Sequence, residues 1–163
     1  MSDPATTEYH YRGEGLDVAA FRAEVWQARN AGRAVYFEMG ANQLAIFMAI
    51  EYGAFGTLTR SMFDTFMPQL ATWLPAAEVQ GLVMAYLGHT GYSQLAADEA
   101  LPAASRRVAL TALSQAHEQA LDHLRRRVFS PREIASLEEQ AESQQARLLA
   151  AQAEGERGRS GRS

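Results

Sequence analysis

Four polar side chains interrupt one of the most apolar stretches of the chain. Arg33 to Leu58 reads RAVYFEMGANQLAIFMAIEYGAFGTL and carries Glu38, Asn42, Gln43 and Glu51. A carboxylate moved into an apolar interior costs several kcal/mol unless it is paired, hydrogen-bonded, metal-bound or protonated. These residues therefore demand partners, inside the chain or on another. Glu38 and Asn42, four apart, share a helix face, and Glu51, thirteen from Glu38, is assigned to nearly the same side. Such a set could line a metal site, an acid–base site or a subunit contact. The plainer alternative is that it bonds to Arg22, Arg33 or Arg60 and to neighbouring backbone.

Two histidines extend the candidate set. His89 stands in Gly88-His89-Thr90-Gly91, close to Tyr92, where glycines let a partner approach. His117 falls on the apolar stripe of its own helix, where a lone histidine is more often a satisfied core residue than a ligand. A carboxylate di-iron bundle needs Glu-x-x-His pairs on two helices. Carboxylates are present at Glu38, Glu51, Asp64, Asp98 and Glu99, but His89, His117 and His123 have no acid three residues upstream. No metal centre and no cofactor are expected.

Composition removes further chemistry. There is no cysteine, which excludes disulfides, thiolate metal sites and cysteine nucleophiles. All fifteen basic residues are Arg, so lysine Schiff-base chemistry is excluded as well. No serine has a base and orienter in view, and no Gly-rich loop follows a strand. A net charge of -4 and a pI near 5.6 argue against a nucleic-acid partner. The apolar stretch is too interrupted to span a membrane, and the N-terminus lacks the pattern of a signal peptide. A cytoplasmic location is the expectation.

The elements that position these residues read as helices throughout, with no alternating strand pattern. Residues 1–15 form an irregular arm, 16–154 a helical domain, and 155–163 a low-complexity tail expected to be disordered. A first short helix covers Leu16 to Asn30 and breaks at Gly32. Ala34 to about Leu74 follows, interrupted around Gly53 and Gly56, and Gly40 within it points to a closely packed neighbour. Pro75 starts a helix with a weak point at Gly88 to Gly91. Pro102 opens another, striped by Leu110, Leu113, His117, Leu121, Leu124 and Val128. Ser130-Pro131-Arg132-Glu133 is a capping box that starts the last helix. The stripe of that helix is thin: Ile134, Leu137, Ala141 and Leu148.

The segment from Arg33 to about Leu70 resembles the central helices of the beta subunit of soluble multicomponent di-iron monooxygenase hydroxylases. The likeness is carried by Glu38-Met39-Gly40-Ala41-Asn42, by Tyr52-Gly53 and Gly56-Thr57, and by Phe63, Phe66 and Met67. It covers about forty residues. It implies a ferritin-like helical scaffold without metal of its own, supporting a metal-bearing partner.

The sequence thus predicts an all-α bundle of about five helices ending in a C-terminal helical hairpin. Its expected role is that of a non-catalytic subunit or interaction module, with a protein partner or a homo-oligomer as its context. An enzyme or ligand-binding bundle, with a pocket lined by Glu38, Asn42, Glu51, His89 and Tyr92, is the alternative. A homo-oligomeric scaffold joined through the C-terminal helices is the third reading. The case for association rests on polar groups without evident partners, on the thin last stripe, and on the lack of a complete catalytic set.

Overall fold

Ala, Leu, Met, Glu and Gln dominate the long apolar stretches, and these side chains lose least on entering a helix. The computed structural model describes residues 18–160, and every regular element among them is an α-helix: α1 (Val18–Tyr52), α2 (Ser61–Trp73), α3 (Ala76–Ala97), α4 (Ala103–Val128) and α5 (Pro131–Ser160). The expected N-terminal arm lies outside the described residues.

The contacts fix the topology. Asn42 meets Thr59, Glu38 meets Phe63, and Gly32 lies against Leu70, so α2 runs antiparallel to α1. Arg33 reaches Val128 while Gln43 reaches Ser114, so α4 is antiparallel to α1 too. Glu78 with Arg127 and Gly88 with Leu113 make α3 and α4 antiparallel. The result is an up-down-up-down four-helix arrangement.

Its core has two parts. Val35, Met39, Phe63, Leu70, Leu82, Tyr86, Leu124 and Val128 fill one end. Ile46, Ala49, Tyr92, Leu110 and Leu113 fill the other. Each fully buried large side chain contributes about 1.5–3 kcal/mol.

The glycines behave differently from expectation. Gly32 does not break α1. A Cβ there would sit 2.5 Å from Val128 Cγ1, so the glycine serves the close crossing of α1 and α4. Gly40 has no close neighbour among the described residues, where a Cβ added there meets nothing within 4 Å. The Gly88 to Gly91 stretch is uninterrupted helix, and Gly88 instead admits the Leu113 side chain. Gly53, with φ of 65°, takes the left-handed conformation that ends α1.

The capping box is present as expected. The Glu133 amide donates to Ser130 Oγ at 3.3 Å, and the Ser130 amide donates to Glu133 Oε2 at 2.7 Å. Arg33 clamps Glu133 from α1. Ser130→Ala should lower stability by about 1 kcal/mol in urea unfolding. An unchanged midpoint would show that Pro131 and Glu133 start the helix without the hydroxyl.

α5 is tied to the bundle at its start. Ile134 and Leu137 pack against the core, and Arg125 pairs with Glu138 across the hairpin, but residues 138–144 are exposed. Among the described side chains of α5, the contacts with α4 and the core lie in the first two turns. The helix also continues to Ser160, past the expected end near Glu154, and residues 161–163 of the expected tail lie outside the described residues.

Candidate functional site

Glu38 projects from α1 onto the first turn of α2, where the opening N–H groups of a helix have no partner of their own. Arg60, the residue before α2, supplies no side-chain cap. Glu38 does the capping from another helix. Its Oε2 accepts from Ser61 Oγ at 3.0 Å and from the Met62 amide at 2.9 Å. Its Oε1 accepts from the Phe63 amide at 3.0 Å and from the Tyr86 hydroxyl at 2.9 Å. Burial alone would raise its pKa. The two backbone amides and the Tyr86 and Ser61 hydroxyls outweigh that, and the carboxyl lies below its ordinary range. Tyr86 is held neutral, first by burial and then by its bond to Glu38.

Asn42, one turn along α1, pins the incoming loop. Its Nδ2 donates to the Thr59 carbonyl at 2.7 Å and its Oδ1 accepts from the Thr59 amide at 2.8 Å. Glu38 and Asn42 are both buried, as their apolar surroundings imply. Neither bonds to an arginine: Arg60 pairs with Asp64, and Arg33 with Glu133. Gln43 turns the other way and donates to Ser114 Oγ and Glu118 Oε1.

Glu51 does not join them. Thirteen residues advance an α-helix by about 3.6 turns, which leaves Glu51 well round from Glu38. It is exposed and pairs with Arg107 at 3.2 Å. The polar groups of this segment thus find partners within the chain, except Gln43 Oε1, which is buried without a hydrogen bond among the described residues. That removes one of the sequence-based arguments for a partner surface.

The two histidines meet between the two parts of the core. His89 Nε2 and His117 Nε2 lie 3.1 Å apart with nearly parallel rings. His117 Nδ1 lies 3.1 Å from the Leu113 carbonyl, which only accepts, so Nδ1 carries the proton. His117 Nε2 is then the acceptor, and His89 donates through Nε2–H. This leaves His89 Nδ1 as the free lone pair. Burial, then His117 and Arg60, push His89 down to about 4 against a smaller opposing effect of Glu38. Burial lowers His117 as well, opposed by its bond to Leu113. Tyr86 joins the two polar groups, its hydroxyl on Glu38 and its ring 4.9 Å from that of His89.

Chemically this layer is nearly closed. All four hydrogen-bonding positions of Glu38 are occupied by donors, so no lone pair remains for a metal or a substrate proton. Among the described residues no cluster of three or more His, Asp or Glu is placed to hold a metal ion. Of the residues expected to line a pocket together, Glu38, Asn42 and His89 are buried and bonded to protein groups, while Glu51 stands apart from them. A cleft of about 560 Å³ opens instead between α3 and α4, lined by Gly88, Gly91, Tyr92, Leu95, Leu113 and Ala116 among others. Of the candidate residues only Tyr92 reaches it.

Sequence reasoning missed Tyr86, although it stands three residues before His89 on the same face of α3. It also missed the outer face of α1. Trp26, Phe37, Leu44, Phe47, Met48 and Tyr52 are exposed there, opposite the core-facing Ala28, Val35, Met39, Ile46 and Ala49. The signal was available as an apolar content too high for one face. No described helix is long and apolar enough to cross a membrane. Comparison with known proteins finds no matching family model, no matching curated protein and no matching solved structure.

Proposed function

We propose that this chain is a non-catalytic helical subunit that works by association, with the outer face of α1 as its binding surface. One observation carries this reading: α1 bears large apolar side chains on the face opposite its core, with Trp26 65%, Leu44 62% and Tyr52 71% exposed. Large exposed apolar side chains gathered on one face of a helix are a mark of interaction sites. The saturated Glu38 and the closed histidine pair favour structural roles for the buried polar groups. By the resemblance of Glu38 to Asn42, the assembly would serve a metal-bearing oxygenase subunit, with this chain as its metal-free support.

The test is the native mass of the tagged chain in extracts of its own cells. Wild type should elute well above 17.9 kDa, and Phe37→Glu with Leu44→Glu should shift it to the mass of a single chain. A wild-type chain that elutes alone, or a variant that stays in the larger species, overturns the reading.

A further inference from the structure

We infer that the outer face of α1 receives an amphipathic helix of another protein, one that carries acidic side chains beside its apolar stripe. This rests on the association reading above and names the chemistry of the partner.

Shape is the first argument. Phe37, Leu44, Phe47, Met48 and Tyr52 are exposed on α1 at intervals of three, four and seven residues. Trp26 continues the same side toward the start of the helix. A second helix packs along such a stripe, with the ridges of one set into the grooves of the other. Trp26 to Tyr52 spans about 39 Å at 1.5 Å per residue, the length of a helix of about 27 residues. At about 200 Å² for a buried aromatic side chain, the exposed fractions of Trp26, Phe37, Phe47 and Tyr52 offer about 480 Å². Leu44 and Met48 add to it. One side of a stable interface is about 800 Å², so apolar contact supplies more than half, and a polar border must supply the rest.

Charge is the second. Arg22 and Arg29 stand one turn before and one turn after Trp26, and neither has an ion-pair partner among the described residues. Glu24, the acid next to them in sequence, points about 200° round the helix from Arg22 and about 140° from Arg29. Arg33 is taken by Glu133, and Glu51 by Arg107. The face therefore offers two uncompensated guanidinium groups, although the chain as a whole carries a net charge of -4. A carboxylate beside the partner's apolar stripe meets each guanidinium with paired hydrogen bonds, and a basic border is repelled. Trp, Tyr and Arg are also the residue types that carry most binding energy at interfaces. A second copy of this face would bring two more arginines and no uncompensated carboxylate, which argues for a different chain.

Calorimetric titration of the purified full chain with a synthetic helical peptide tests this. The probe has about 27 residues, leucines at alternating third and fourth positions, and glutamates on both flanks. The control carries lysines in place of the glutamates. The acidic probe should bind with Kd on the order of 10 μM. The lysine probe should bind at least about 10-fold more weakly, and the difference should shrink in about 0.5 M salt. Arg22→Glu with Arg29→Glu should weaken the acidic probe by about 10-fold and strengthen the lysine probe. Leu44→Glu should weaken both, with the urea midpoint of the chain unchanged because Leu44 is exposed. No binding of the acidic probe at about 100 μM, equal binding of the two probes, or an arginine reversal without effect overturns the inference. So does a purified chain that sediments at about twice 17.9 kDa and loses that mass on Leu44→Glu, since the occupant is then a second copy. Cell extracts separate the two readings. A complex that dissociates with Phe37→Glu and Leu44→Glu but survives the arginine reversal overturns the acidic partner and keeps the association reading. A chain that elutes alone in extracts overturns both.

Discussion

Urea unfolding at pH 5 should give a stability about 2 kcal/mol lower than at pH 7 from His89 alone, with His117 adding a loss of the same sign. An unfolded histidine titrates near pH 6.5. In the fold His89 is pushed down to about 4, and His117 is lowered too. Below pH 6.5 the unfolded chain therefore binds protons that the folded chain refuses. Stability is full above that pH and is lost as the pH falls, by about 1.4 kcal/mol per unit for His89, with His117 acting in the same direction. The loss ends where the folded pair itself takes up protons, near pH 4 for His89. Tautomer geometry reinforces the effect. His89 could accept a proton at Nδ1 and keep its bond, but a proton on His117 Nε2 would face the Nε2–H of His89. Glu38 acts in a separate window: its pKa is depressed, so its contribution is lost only below about pH 4.5. Replacing both histidines with leucine should flatten the profile between pH 5 and 7. A wild-type stability that does not change over that range would mean that the pair is hydrated or open in solution.

The sequence made the helices legible, because apolar runs rich in strong helix formers and two proline starts leave little choice. Pro75 and Pro102 stand one residue before α3 and α4, and Ser130 caps α5. Burial of Glu38 and Asn42 was legible from their apolar neighbours. Their partners were not. Thr59, Met62 and Phe63 receive them through backbone groups, which every residue carries and no pattern singles out. Gly32, Gly40 and Gly88 show the same limit. Each looks like a weak point in a helix, yet Gly32 and Gly88 mark a crossing and a neighbour's side chain, while Gly40 meets none of the described residues. Such differences depend on which face a distant helix covers. Glu51 failed for a simpler reason: its helical phase differs from that of Glu38 by more than a third of a turn. The His89–His117 contact joins residues on two helices, and neither histidine's local context announces the other.

Glu38→Ala should cost about 4 kcal/mol in urea unfolding, the largest single effect among the polar groups. The substitution removes one side chain and orphans four donors. The Met62 and Phe63 amides lose the cap of α2, and the Tyr86 hydroxyl is stranded in the core beside the histidines. Burying an unsatisfied donor costs about 1–3 kcal/mol, and the charge-assisted bonds to Glu38 are stronger than neutral ones. Water entering the gap would recover part of this, which is why the figure stays below the simple total. Glu38→Gln should recover little. Both carboxylate oxygens accept here, so one end of the amide would turn N–H groups toward N–H or O–H donors. Tyr86→Phe removes a single donor and should cost about 1 kcal/mol. The expected order of loss is therefore Ala, then Gln, then Tyr86→Phe. The fraying should be concentrated in α2, seen as faster amide exchange from Met62 to Phe66. A Glu38→Ala chain within about 1 kcal/mol of wild type would show that the carboxylate is not what holds α2 in place. Glu38 would then be kept for chemistry or a partner, and not for the fold.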